Sequence, residues 1–225
     1  MRLLMNQVLK IVWMGLALSA GPLLAQTTTS SKPSIEIISA PAPLQILHDH
    51  DTAQITAMRH VHYPTGWHIH SPGITVAESE MKTDYQMEFR HREGSSVYTV
   101  WATTVTVVFE YTRMDVYVSS QYGEGSCEYS QILAHEMQHV AINEKALDQY
   151  KTMITNALRS STRIPSRAHP LIVRSQEEGR SIVSQRVLAI VNPYFQRFHQ
   201  STEMANAKID TISNYRRIQA KCHGW

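Results

Sequence analysis

CEYSQILAHEMQHVAINEKALDQY, residues 127–150, sets two histidines four positions apart with a glutamate directly after the first. Its apolar residues recur with a helical period. Tyr129, Ile132, Leu133, Met137, Val140, Leu147, Tyr150 and, just beyond, Ile154 fall on one broad side at about 100° per residue. Ser126 precedes the run as an N-cap type, and no proline interrupts it before Pro165. The pattern predicts a helix over 128–159.

On such a helix, residues four apart differ by about 40° in rotation and about 6 Å in height. His135 and His139 can therefore aim both imidazoles at one point, as two corners of a tetrahedral zinc site. Glu136 stands one step round, close enough to take a proton from a zinc-bound water without being a ligand itself. Random placement of twelve histidines among the glutamates of this chain yields roughly 0.04 such pentads. The bland alternative is a polar helix face with two solvated histidines.

The residues upstream change period. TDYQMEFRHR, residues 83–92, alternates at Tyr85, Met87, Phe89 and His91, as a half-buried strand does. VYTVWATTVTVVFEYTRMDVYVSS, residues 97–120, is rich in β-branched and aromatic side chains and predicts two strands. AQITAMRHVHY, residues 53–63, could add another. IEIISAPAPLQIL, residues 35–47, is broken by Pro41 and Pro43 into an extended edge segment. Downstream, STRIPSRAHPLI reads as a loop. A second helical region runs over 174–198 with a break or kink at Pro193 and continues over 202–222. Strands first and helices after give an α+β layout: an N-terminal antiparallel sheet followed by long helices that carry the pentad.

The first 25 residues read as a secretory leader. Arg2 and Lys10 precede or open the stretch IVWMGLALSAGPLLA, about fifteen mostly apolar residues, too short for a comfortable membrane span. No cysteine sits at the cleavage point. Residues 26–34 make a polar, disordered tail, and 35–225 a single domain. Without Arg2 and Lys10 the 21 basic and 19 acidic residues become 19 of each. A balanced chain makes no case for nucleic acid or an anionic membrane as partner. The two cysteines, Cys127 and Cys222, would pair in an exported protein and stay free in cytosol. A bridge closing nearly a hundred residues is worth about 4–5 kcal/mol in the chain-entropy model.

A metal site needs a third protein ligand. Asn143 is well placed angularly but is a rare zinc ligand type. Glu144 is rotated by about 140° from His139, among Leu133, Met137 and Val140, where it would be a buried carboxylate supporting the site or an ion-pair partner. If Cys127 and Cys222 pair and their helices run antiparallel, His139 falls opposite Asp210 and His135 opposite Asn214. Asp210 is then the leading third ligand, with Glu177, Glu178, Glu203, His169 and His199 as the other candidates.

HEMQHVAINE, followed far downstream by KIDTISNY, resembles a bacterial family of secreted zinc-dependent proteases classed as a domain of unknown function, and more generally the zincin metallopeptidases. That family has a HExxH helix, a Glu five residues on, and a C-terminal Tyr-Asp-x-x-Thr-x-His-Gly. His135, Glu136, His139 and Glu144 match the first part; Asp210 and, loosely, Ser213 match the second. The chain departs at Ile209, at Tyr215 in place of His, and at Arg216 in place of Gly. If that His is the family's third ligand, it is missing here and Tyr215 stands near the metal. The likeness covers roughly residues 80–220, and the pentad is its specific part. It implies a substrate peptide laid along a sheet edge above the helix, with the strands at 97–119 as the candidates.

Half the histidines lie between residues 48 and 70, as the alternate pairs His48/His50, His60/His62 and His68/His70. They could form a second metal patch or a solvated, pH-sensitive surface. Together these features predict a periplasmic or secreted metallohydrolase. It uses Zn2+ held by His135, His139 and Asp210, with Glu136 as general base, and acts on a peptide or protein. The alternative is a noncatalytic envelope protein that binds metal or a partner on a zincin-like scaffold.

Overall fold

The computed structural model describes residues 31–58, 71–91, 93–223 and 225. The leader, residues 26–30 of the tail, and the pairs His60/His62 and His68/His70 lie outside them. Ser34 already opens a strand, so the segment expected to be disordered ends short of residue 34.

The elements are β1 (Ser34–Ile38), β2 (Leu44–Leu47), α1 (Thr52–Met58), β3 (Gly73–His91), β4 (Tyr98–Val118), α2 (Cys127–Ser160), β5 (Leu171–Val173), α3 (Gln176–Ile209) and α4 (Ile212–Gln219). The chain is mixed α and β, but the sheet is not the antiparallel one expected. β3 runs antiparallel to β4 over nearly its whole length. The other side of β4 is filled in turn by β5, antiparallel, and by β1 and β2, both parallel. The short apolar runs at 34–38 and 44–47 leave by Pro41 and Pro43 and return beside the same strand. This lets one central strand take two parallel partners without a helical crossover between them.

Two further expectations change. Residues 97–120 form one strand rather than two, because bulges absorb the accumulated twist without a turn. The register shifts between Glu78 and Ser79 and between Gln86 and Met87 leave Thr112 and Thr103 of β4 without direct partners. Since β4 is central, it offers no free edge; among the described residues the longest edge left unpaired belongs to β3. Of residues 53–63, read as a further strand, 53–58 are helical and 59–63 lie outside the described residues; Gln54 and Asp51 exchange hydrogen bonds across the first turn of α1.

The helical regions follow their signals closely. Ser126 caps α2, accepting from the Tyr129 amide at 3.1 Å. Ser175 caps α3 in the same way through Glu178. Pro193 is accommodated inside α3, and the chain breaks instead at Asp210, where φ −86° and ψ 49° end the helix. Val105, Val107, Phe109 and Tyr111 of β4 meet Leu147, Tyr150, Ile154 and Leu158 of α2 and Val183, Val187, Val191 and Phe198 of α3 in one core. Phe109 and Phe198 meet edge to face at 4.9 Å, a geometry aromatic rings favour. The Cys127–Cys222 bond is formed, with Cα atoms 5.8 Å apart. It ties the start of α2 to the chain end beyond α4.

Candidate metal centre

The buried face of α2 is not uniformly apolar. Its sequence of buried residues runs Ile132, His135, Glu136, His139, Val140, Asn143, Leu147, Tyr150, Ile154, Leu158. Three consecutive turns thus carry four polar side chains into the interior, where each must find a partner or cost stability. The partners come from α3, α4 and β3.

Asp210 meets both histidines. Its Oδ1 lies 3.1 Å from His135 Nε2 and 3.1 Å from His139 Nε2. The two rings stand at 83° with centroids 4.9 Å apart. Tyr215, one turn into α4, donates its hydroxyl to the same Oδ1 at 2.7 Å. The break between α3 and α4 brings Asp210 and Tyr215 to one point. A continuous helix would have put Asn214 there. Asn206, one turn before Asp210, places Oδ1 3.0 Å from His139 Nδ1, and its amide reaches Asn143 Oδ1 at 3.4 Å. Each ring nitrogen of His139 thus faces an oxygen, Asp210 Oδ1 at Nε2 and Asn206 Oδ1 at Nδ1, and the two contacts fix the orientation of the ring. His135 Nδ1 is buried and has no hydrogen-bond partner.

Glu136 is 4 % exposed. Thr75 of β3 donates its hydroxyl to Glu136 Oε2 at 2.9 Å, and lies 3.1 Å from the Glu136 carbonyl oxygen. Gly73 makes this approach possible. A Cβ there would come within 2.5 Å of Ile132 Cγ2 and 2.8 Å of Glu136 Oε1.

Burial sets the electrostatics. It pushes the Glu136 carboxyl above its ordinary pKa, against the opposing pull of His139, His135 and Thr75. Burial would also raise Asp210, but hydrogen bonds from His135 and His139 outweigh it and hold that carboxyl well below the usual range. His139 shows the converse: burial disfavours its charge, yet Asp210 and Glu136 carry its pKa above the ordinary value.

His135, Glu136 and His139 place ligand atoms within 4.8 Å of one another and could hold a metal ion. Asp210 fits such a site as well. Donors about 2.1 Å from a tetrahedral ion stand roughly 3.4 Å apart, within a few tenths of the two Asp210 contacts. The two carboxylates differ in their contacts: one Asp210 oxygen meets both Nε2 atoms and the Tyr215 hydroxyl, while Glu136 Oε2 is engaged by Thr75.

Glu144 is a correction. It is exposed, and Asn143 occupies the buried place beside the histidines. The turn of the helix decides this: Asn143 follows His139 by four residues and Glu144 by five. His48 and His50 do not converge on one ion. His48 Nε2 faces the Ser119 and Tyr122 carbonyls at 3.1 and 2.9 Å, while His50 Nδ1 faces Asp49. The other candidates, Glu177, Glu178, Glu203, His169 and His199, make no contact with the two imidazoles, although Glu203 lines the adjoining cleft.

That cleft, about 1110 Å³, opens onto Glu136, His139 and Asp210. Residues 73–78 of β3 form one wall, with Asn206, Asp210 and Tyr215 opposite and Arg113 and Tyr117 at the sheet end. Sequence reading missed Thr75, Gly73 and Asn206. Asn206 could have been found, since it stands opposite Asn143 in the register that paired His139 with Asp210. Thr75 and Gly73 carry no such signal, because β3 starts ten residues before its alternation becomes visible. No family model, curated protein or solved structure matches this chain.

Proposed function

We propose that this protein is an exported zinc-dependent metallohydrolase that cleaves peptide bonds. The observation that carries the reading is the convergence of His135 Nε2 and His139 Nε2 on one Asp210 oxygen, with a buried carboxylate beside them. Imidazole and carboxylate donors in this arrangement suit zinc.

His135, His139 and Asp210 would hold the ion. When bound, zinc lowers the pKa of its water toward about 7 and polarises the scissile carbonyl. Glu136 accepts the proton of the attacking water and returns it to the departing amine. Burial raises its pKa, the direction that favours taking up a proton. Thr75 keeps the carboxylate aimed. Tyr215, at the cleft wall, holds Asp210 through a hydroxyl hydrogen bond.

The peptide preference rests on the cleft. Its wall is the stretch of β3 at 73–78, where backbone N–H and C=O groups on the unpaired edge suit an extended chain laid alongside. The disulfide agrees with an oxidising compartment. Among the described residues no helix is long and apolar enough to cross a membrane.

Glu136→Gln tests the reading. Metal content should stay at one ion per chain while hydrolysis of a generic protein substrate falls by at least about 10²–10⁴-fold. Retained hydrolysis would remove Glu136 from the mechanism. A stoichiometric metal with no hydrolysis in the unmodified protein would favour the noncatalytic binder instead.

A further inference from the structure

The outer edge of β3, unpaired among the described residues, continues past the cleft as a regular strand through residues 79–91. Both bulges put their extra residue in β4, so β3 alternates without interruption. Met81, Thr83, Tyr85, Met87 and Phe89 are half-buried toward the helices, where Tyr85 reaches Ser184 and Phe89 packs beside Gly179. Lys82, Asp84, Gln86, Glu88 and Arg90 are exposed on the opposite face, with Glu80 half-buried in line with them. A long, regular, unpaired edge is a template for another strand.

We propose that this edge pairs antiparallel with β3 of a second copy of the chain, about a twofold axis through Tyr85. In that register Glu80 stands opposite Arg90, and Lys82 opposite Glu88, each pair occurring twice by symmetry. Asp84 faces Gln86. On the helix side Met81 meets Phe89 and Thr83 meets Met87. No like charges are opposed.

Neighbouring registers behave differently. Centring on Asp84 sets Glu80 against Glu88 and Asp84 against itself. Centring on Gln86 sets Lys82 against Arg90 and Asp84 against Glu88. Centres between residues would bring the charged face of one copy against the apolar face of the other. Within one copy Lys82 pairs with Glu80 and Arg90 lies over the Trp101 ring, so the pairing exchanges these local contacts for ones across the twofold axis. The pairing also stops short of residues 73–78, so both copies keep their clefts open.

Lys82 and Glu88 lie six residues apart in one strand, about 20 Å, so they can communicate only between copies. Sedimentation of the purified protein from about 1 to about 100 µM should show a monomer–dimer equilibrium. Lys82→Glu turns two attractive pairs repulsive and should weaken the dimer by about tenfold or more. Adding Glu88→Lys to that variant should restore it to within about threefold of the original. Hydrogen exchange in the unmodified protein should show protection of residues 79–91 that fades on dilution. A monomer at every concentration, a dimer indifferent to Lys82→Glu, a failure of Glu88→Lys to rescue, or concentration-independent exchange would each overturn the proposal.

Discussion

The two halves of helix α2 share a face, a degree of burial and opposite chemistry. From Leu147 to Leu158 the buried positions are Leu147, Tyr150, Ile154 and Leu158, packed against Phe198 and the β4 valines. From His135 to Asn143 they are two imidazoles, a carboxylate, a carboxamide and a single apolar residue, Val140. The apolar half stabilises by leaving water, at roughly 1.5–3 kcal/mol for each large side chain. The polar side chains of the other half gain nothing of that kind and depend on Asp210, Asn206 and Thr75 to offset their desolvation. One half of the helix is therefore accounted for by folding alone, while the other makes sense as a place prepared for a ligand.

The sharpest way to break this comparison is to remove a donor from the polar half. His139→Ala should abolish stoichiometric metal binding, with a loss larger than the about 10–100-fold typical of losing an outer hydrogen-bond partner. Its fold should survive, because the apolar half is untouched. Metal analysis after gel filtration, alongside thermal unfolding of the metal-free protein, separates the two effects. Unchanged metal content would mean that the imidazoles serve packing only.

The complementary change belongs in the other half. Ile154→Ala leaves a cavity at a fully buried position and should cost about 2–5 kcal/mol of stability. Metal affinity at a temperature where the protein remains folded should not move. Denaturant unfolding measures the first quantity and metal titration the second. A variant that lost metal along with stability would show that the two halves act as one unit.

Legibility in the sequence follows the same division. Long helices were readable because caps, period and absence of proline agree over many residues, as at Ser126 and along 127–160. The pairing of Asp210 with the histidines was readable because the disulfide fixes the register of two antiparallel elements. Sheet topology was not. Nothing in the residues of β1 and β2 distinguishes a parallel neighbour from an antiparallel one, since either needs only a short apolar run. The buried side of α2 was misjudged at Glu144 for a related reason. A hydrophobic stripe centred on Leu133 and Met137 implies a face rotated from the true one, which the histidines themselves occupy. Including His135 and His139 as inward residues moves the stripe onto Asn143 and leaves Glu144 in water.

The two imidazoles offer the finest form of the comparison, because they share Asp210 and differ in what holds their far nitrogen. His139 Nδ1 has Asn206 Oδ1, and His135 Nδ1 has no hydrogen-bond partner among the described residues. Asn206→Ala would leave both unheld and should weaken metal binding by about 10–100-fold. It should also change the response to acid in a defined direction. Metal competes with protons for His139, so affinity falls as pH drops through that group's pKa in the metal-free protein. Asn206 is among the groups that raise this pKa, after the larger influences of Asp210 and Glu136. Removing it lowers the pKa, so the variant should bind less tightly at pH 8 yet begin to lose metal at a lower pH than the unmodified protein. Titrations at a series of pH values read both changes together. A uniform loss of affinity with no displacement along the pH axis would mean that Asn206 supports the helix packing without orienting the ring.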